Sequence, residues 1–281
     1  QARGPAFVLE RNPDDPRPLT RRELSDLLQQ PEFAPFQVLP QRTVKVKQHQ
    51  DNAEFAGMVE AMDESLGRVV AKLADLGLEE QTIIVFFSDN GGMAAANFGR
   101  PDRVLAAEQL DRAYSTSNWP LRGAKGWLYE GGIRVPMIVK WPGQAEAGTI
   151  CEEPVISTDF YPTLLEMAEL PPSRGQAVDG KSFIASLKGN PVDRGPIYWH
   201  FPHYSNHGMQ SPGGAIRVGS YKLLEYFEND TVQLFDLASD RGEQNDLAAT
   251  RPAKVAELRA RLRDWRSDLG ARMNRPKSPQ E

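Results

Sequence analysis

The chain has 281 residues, 40% hydrophobic, 25% charged and 9% aromatic, an ordinary globular composition with length for one large domain or two smaller ones. Its single cysteine, Cys151, excludes an internal disulfide framework, a four-cysteine zinc site and a CxxC redox pair. A net charge of −5 argues against nucleic acid as a partner, and no apolar run approaches the roughly 20 residues that span a bilayer. Gln1-Ala2-Arg3-Gly4-Pro5 carries no initiator Met and leads into no signal-peptide pattern, so the sequence reads as starting at a processed or truncated end.

Residues 1–50 are polar and proline-rich, with room for short helices around Arg21–Gln30. The first strong element is a helix over about 51–76, where Phe55, Met58, Val59, Met62, Leu66, Val69, Val70 and Leu73 follow the 3.6-residue period and Gly77 supplies the stop. Thr82–Phe87 is a continuous β-branched and aromatic run. Continuous apolarity predicts a strand buried on both faces, as in a parallel sheet covered by helices. It ends in Ser88-Asp89-Asn90-Gly91-Gly92, and α/β folds place their sites just past such strand ends.

Residues 93–132 have little periodicity and read as a long functional loop. Val135–Trp141 is a second buried strand, closed by Pro142-Gly143. Thr158 or Asp159 can cap a helix reaching about Glu169 with Leu164, Leu165 and Ala168 inward. Residues 171–195 read as a boundary. Beyond it come short strands at 197–201, 215–218, 221–227 and 232–237, with Gly219-Ser220 as a type II′ hairpin turn and 228–230 as the next turn. The region from Arg251 onward is basic, but Val255, Leu258, Leu262, Trp265 and Leu269 form one stripe. The arginines between them therefore read as the solvated face of a docked terminal helix. The fold class expected is α/β: part of a large mixed-sheet domain with flanking helices over 1–190, then a small α+β domain of antiparallel sheet and terminal helix over 191–281.

Three segments could carry chemistry. Asp89-Asn90 offers two hard oxygen ligands suited to calcium or magnesium, although Asp, Asn and Gly also dominate plain turns. The segment 118–136 sets two cations, Arg122 and Lys125, among glycines where backbone can approach a ligand, and a lysine suits an anionic oxyacid group. Together the two suggest a metal-assisted site for a sulfate or phosphate ester. The third segment, Tyr198 to His207, holds His200, His203 and His207 among aromatics. It suits a sugar or aryl substrate better than zinc, because no cysteine or acid accompanies the histidines at a metal spacing. No nucleophile is legible: there is no GxSxG elbow, and two acids follow Cys151, which would raise its pKa.

These residues resemble the type I sulfatases of the alkaline phosphatase superfamily. The resemblance is carried by Asp63–Arg68, Phe87–Gly92, Pro120–Gly126, Tyr129–Pro136, Ser157–Leu165, Asp179–Ser182 and Gly219–Leu224, in order. It implies a sulfuric ester hydrolase with a calcium-centred site. Asp89 and Asn90 would be metal ligands, and Asp89 would also help hold the nucleophile. Lys125 would bind the sulfate oxygens and neutralise charge as the S–O bond breaks, with Arg122 beside it. His200 and His203 fall where related chains contribute substrate-pocket residues.

The family's nucleophile is a formylglycine made within a Cys/Ser-x-Pro-x-Arg motif, and this sequence contains none; Pro172-Ser173-Arg174 is a fragment of one. The paired N-terminal aspartates and the Lys-x-His and His-x-Pro segments are absent too, and Gln1-Ala2 resembles the dipeptide that follows His-x-Pro. The expectation is the second half of an exported sulfatase, inactive without its N-terminal half, acting on a sulfated carbohydrate or an aryl sulfate. The alternatives are a phosphonate monoester or phosphodiester hydrolase of the same superfamily, and a non-catalytic binding domain that kept the fold.

Overall fold

The computed structural model describes residues 7–11, 43–95, 113–172, 175–205, 210–228 and 230–274. Gln1-Ala2, the helices expected near Arg21–Gln30, Ser173-Arg174 and His207 lie outside them. The described residues form a mixed α/β chain with antiparallel sheets, ending in a small sheet packed on a terminal helix. No helix among them is long and apolar enough to cross a membrane. The chain divides into two compact units, one of residues 1–60, 88–136 and 198–281, the other of residues 61–87 and 137–197.

In the first unit, β1 (Phe7–Arg11) and β2 (Thr43–Lys47) pair antiparallel, and Val46 of β2 bridges to Ala95. The helix α1 (Ala53–Asp75) begins here, with Asn52 Oδ1 accepting the Phe55 amide. Its end follows the sequence closely. Gly77 takes φ 67°, the Leu78 amide reaches the Leu73 carbonyl and the Gly77 amide reaches Ala74, a Schellman closure. The α1 stripe, however, is not covered: no residue of α1 is buried, and Met58, Val59, Met62 and Val69 are exposed.

The C-terminal sheet runs β5 (Ile197–Phe201), β6 (Gly213–Val218), β7 (Tyr221–Tyr226), β8 (Thr231–Asp236) in spatial order. Gly219, first in the β6–β7 turn, has φ 58°, as a type II′ turn demands. Side chains alternate across the sheet. Ile216, Leu223 and Leu234, one cross-strand row, pack on Leu258 and Leu262 of α5 (Pro252–Asp268). The other face sets Ala215, Leu224 and Phe235 against Ala124, Trp127, Leu128 and Tyr129. The helix stripe was thus legible from Val255 to Trp265, whereas Leu269, read as its last member, lies past the end of α5 and is exposed. Two of its arginines are less solvated than expected: Arg259 and Arg266 both pair with Glu225 on β7.

In the second unit, β3 (Ile84–Phe87) pairs with β4 (Met137–Lys140). The pairing is antiparallel and two-stranded, where the continuous apolar run led us to expect a parallel strand enclosed on both faces. Phe87 and Ile138, on opposite faces of the pair, are exposed. Helix α3 (Phe160–Met167) buries Thr163 and Met167, while Leu164 is exposed. The expected inward set of Leu164, Leu165 and Ala168 is therefore corrected by about a quarter turn. The cause is Asp159, whose fully buried carboxylate accepts the Ile156 and Lys181 amides and the Arg194 guanidinium at 2.8–3.0 Å and so fixes the helix rotation. The short helix α4 (Ile184–Leu187) follows.

Removing one partner of a buried ion pair leaves the other charge uncompensated, at a cost of about 3–5 kcal/mol. Asp159→Ala is therefore expected to lower the urea midpoint strongly by stranding Arg194, and Asp159→Ala with Arg194→Met should recover part of the loss. Equal midpoints for Asp159→Ala and the wild type would refute this role.

Candidate functional site

The turn that follows β3, residues 88–92, and the glycine-rich loop come together within the first unit. The Gly91 amide donates to the Gly132 carbonyl at 3.0 Å, and the Lys125 amide donates to the Gly92 carbonyl at 3.1 Å. Asn118 closes the junction with one carboxamide: its Oδ1 accepts the Gly92 amide, and its Nδ2 donates to the Gly92 and Gly123 carbonyls at 2.9 and 3.2 Å. Ser88 Oγ donates to the Asn90 carbonyl and tightens the turn. Two segments 30 residues apart in sequence thus share one backbone junction, and Asp89, Asn90 and Lys125 are borne on it.

Glycine is required here by space. A Cβ on Gly91 would sit 1.8 Å from the Gly131 carbonyl oxygen, one on Gly131 2.4 Å from that of Arg122, and one on Gly132 2.1 Å from that of Trp127. All three obstacles are backbone, which cannot rotate aside. Gly91 therefore marks where the strand-end turn crosses the loop, and Gly131 and Gly132 mark where the loop folds back on its own backbone.

The predicted site residues have distinct surroundings. Asp89 is exposed and Asn90 half-buried, both at the strand end. Among the described residues, no group of three or more acids, histidines or cysteines is arranged to hold a metal. Lys125 is half-buried, and no ion pair to its ammonium occurs among the described residues. Arg122 is braced: its Nη1 donates to the Glu243 carbonyl at 3.0 Å and its guanidinium lies 4.2 Å over the Tyr129 ring. His200 Nε2 lies 2.8 Å from the Arg272 carbonyl, which can only accept, so Nε2 carries the proton, and the buried Nδ1 finds no partner among the described residues. His203 is exposed and meets the edge of Phe201 at 5.7 Å. The structure thus unites the Asp89-Asn90 turn with the Lys125 loop, while the histidines sit on and just after β5.

Sequence reading missed three groups. Asn118 was quoted within a motif but given no role. Lys222 and Glu243 are both fully buried, and each lies within 3 Å of a partner: Lys222 Nζ is 2.9 Å from Glu130 Oε1 and 2.8 Å from Glu243 Oε1. Burial pushes the Glu243 carboxyl above its ordinary value, and the Lys222 ammonium opposes that rise. A signal existed for Lys222, because a lysine at an inward position of an apolar strand implies a buried acid.

The Sulfatase family's sequence model matches residues 14–170, and that of N-sulphoglucosamine sulphohydrolase, C-terminal, matches residues 123–268. A sulfatase of Formosa agariphila is 32% identical over 237 residues, covering 76% of this chain and 39% of its own length. The steryl-sulfatase of Mus musculus is 32% identical over 257 residues, covering 78% and 39%. Among solved structures, Ps i-CgsB in complex with k-i-k-neocarrahexaose superposes with a TM-score of 0.62 at 31% identity, over 78% of this chain and 44% of that one. The chain spans about two fifths of the length of the curated relatives it matches.

Gly91→Ala is expected to pry the junction apart and lower the melting temperature by several degrees. Gly67→Ala, in the α1 interior with nothing within 4 Å of its added Cβ, is expected to raise stability by about 0.5–1 kcal/mol. Thermal melts of the two variants should move in opposite directions, and a harmless Gly91→Ala would sink the argument from close approach.

Proposed function

The chain belongs to the sulfatase family, and from that premise we propose that it forms the C-terminal portion of a calcium-dependent sulfuric ester hydrolase whose nucleophile comes from an upstream N-terminal half. The observation that carries this reading is the backbone junction of Asn118, Gly92 and Gly123, which joins a turn bearing hard oxygen ligands to a loop bearing an ammonium. Residues 1–190 would then belong to the α/β catalytic domain and 191–281 to the small α+β domain.

In this reading Asp89 and Asn90 hold part of the calcium. Their oxygen donors fit a hard cation, and the further ligands would come from the upstream half. When bound, the ion supplies positive charge that offsets the sulfate oxygens. Asp89 also orients the formylglycine presented by that half. Lys125, whose ammonium meets no carboxylate among the described residues, binds the sulfate oxygens and balances the charge that develops as the S–O bond breaks. Arg122 adds positive potential from the place where Glu243 and Tyr129 hold it.

We favour a sulfated carbohydrate over a simple aryl sulfate. Support comes from the name of the family whose model matches 123–268 and from the saccharide bound by Ps i-CgsB, whereas the murine relative is named for sterol sulfates. His200, His203 and the aromatics near them would contact the sugar. Location outside the cytoplasm is taken from the family.

The purified chain 1–281 is expected to give no turnover of an aryl sulfate, and the protein extended upstream to include a Cys/Ser-x-Pro-x-Arg segment should hydrolyse it. Lys125→Ala in that protein should lower kcat by roughly 100- to 1,000-fold, the range seen when one charge-stabilising donor is lost. Turnover by the chain alone would overturn the division of labour. Preference for phosphonate monoesters or phosphodiesters would assign a different ester. An upstream segment with no nucleophile motif would mark a binding domain.

A further inference from the structure

Glu243 touches both ends of the loop that carries Lys125. Its backbone carbonyl accepts from Arg122 Nη1 at 3.0 Å, and its side-chain Oε2 accepts the backbone amide of Glu130 at 2.6 Å. Lys125 lies between those two anchors. Glu130 opens the short helix α2 (Glu130–Ile133), whose glycines make the close crossings with Gly91 and Arg122. The Lys222 ammonium bridges the Glu130 and Glu243 carboxylates, and all three side chains are at most 3% exposed. Lys222 reaches them because β7 turns it to the face that carries Leu224, opposite α5.

Two further features mark this cluster as built for position. Glu243 has φ 51°, the left-handed region that disfavours a non-glycine residue, yet glutamate stands there. A glycine would relieve the backbone but would lose the carboxylate. Burying three charges also stabilises less than an apolar cluster of equal volume would, so the ions are poorly explained by stability alone. The neighbouring charges are Arg134, 3.8 Å from the other oxygen of Glu130, and Arg122.

We propose that Glu243 and Lys222 are positioning residues that clasp both ends of the 122–130 loop and thereby fix the Lys125 ammonium for its anionic substrate. This rests on the reading of Lys125 as the sulfate-binding cation. Glu243 closes the loop at its two ends, and Lys222 compensates the charge that this closure buries.

Two measurements test the clasp. Amide exchange on chain 1–281 carrying Glu243→Ala should accelerate at least tenfold over residues 123–132 and by no more than twofold over β6–β8. Equal acceleration in both regions, or none in the loop, overturns the proposal. If Glu243→Ala does not accumulate folded, Glu243→Gln with Lys222→Met removes one charge of each sign and leaves Glu130 beside Arg134. The same localised acceleration is expected of that pair.

The second measurement is a double-mutant cycle in the extended enzyme. Glu243→Ala should lower kcat/KM at least tenfold with Lys125 present and less than twofold in the Lys125→Ala background. Equal losses in both backgrounds overturn the clasp, since a merely structural residue would show them. If Lys125→Ala alone costs nothing, the assignment of Lys125 falls, and the exchange measurement still decides whether Glu243 holds the loop.

Discussion

The structure around the site depends on how closely two stretches of backbone approach each other. Gly91 crosses Gly131 at a distance that leaves no room for a Cβ, 1.8 Å from a carbonyl oxygen, and Gly92 is closed in by the Thr116 and Asn118 side chains. Buried backbone at such a crossing must find its hydrogen bonds within the crossing itself. Asn118 suits that demand, because a carboxamide both donates and accepts, and here it does so to Gly92 from a single side chain. A carboxylate could not donate, and a lysine could not accept. The rigid junction holds the local geometry and carries Asp89 and Lys125 at its edges.

The C-terminal sheet supplies the other half of that rigidity. One row of β6–β8 side chains binds α5, and the next row binds the glycine-rich loop, so the small sheet serves both as a core and as a platform. Lys222 lies on the loop-facing side of the sheet, as does Gln233, whose Oε1 accepts from Tyr129 Oη at 2.6 Å. The loop packs through Ala124, Trp127, Leu128 and Tyr129, and its glycines add no side-chain contacts. Its conformational freedom must be limited by groups outside it, and the strand face with the Glu243 turn provides them.

What was legible in the sequence follows from how local each signal is. Gly77, the Gly219 turn, the strands 197–237 and the α5 stripe as far as Trp265 are short-range patterns, and each appears where it was read. The direction of β3 is decided by a strand more than 50 residues away, and continuous apolarity cannot distinguish parallel from antiparallel neighbours. The rotation of α3 escaped because its determinant is Arg194, far along the chain, drawing on Asp159. Glu243 lies in a polar run, Asp240-Arg241-Gly242-Glu243-Gln244, that looks like an ordinary surface turn, yet it is fully buried. No local pattern could have shown that. Lys222 was within reach, because Tyr221–Tyr226 is an apolar strand interrupted at an inward position.

The misread strand is itself informative. In β3–β4, Phe87 stands opposite Met137 on one face and Ile138 opposite Phe86 on the other, so each face of the pair carries an exposed apolar side chain. Along α1, Met58, Val59, Met62 and Val69 are also open, on a helix whose periodicity is that of a core-facing element. Patterns of this kind arise where apolar surface is removed from water, since leaving it exposed forfeits roughly 25 cal/mol for each Å². The sequence is therefore written for an environment with cover on the β3–β4 faces and along α1. On the reading proposed above, the half that would bring the nucleophile would also cover these faces.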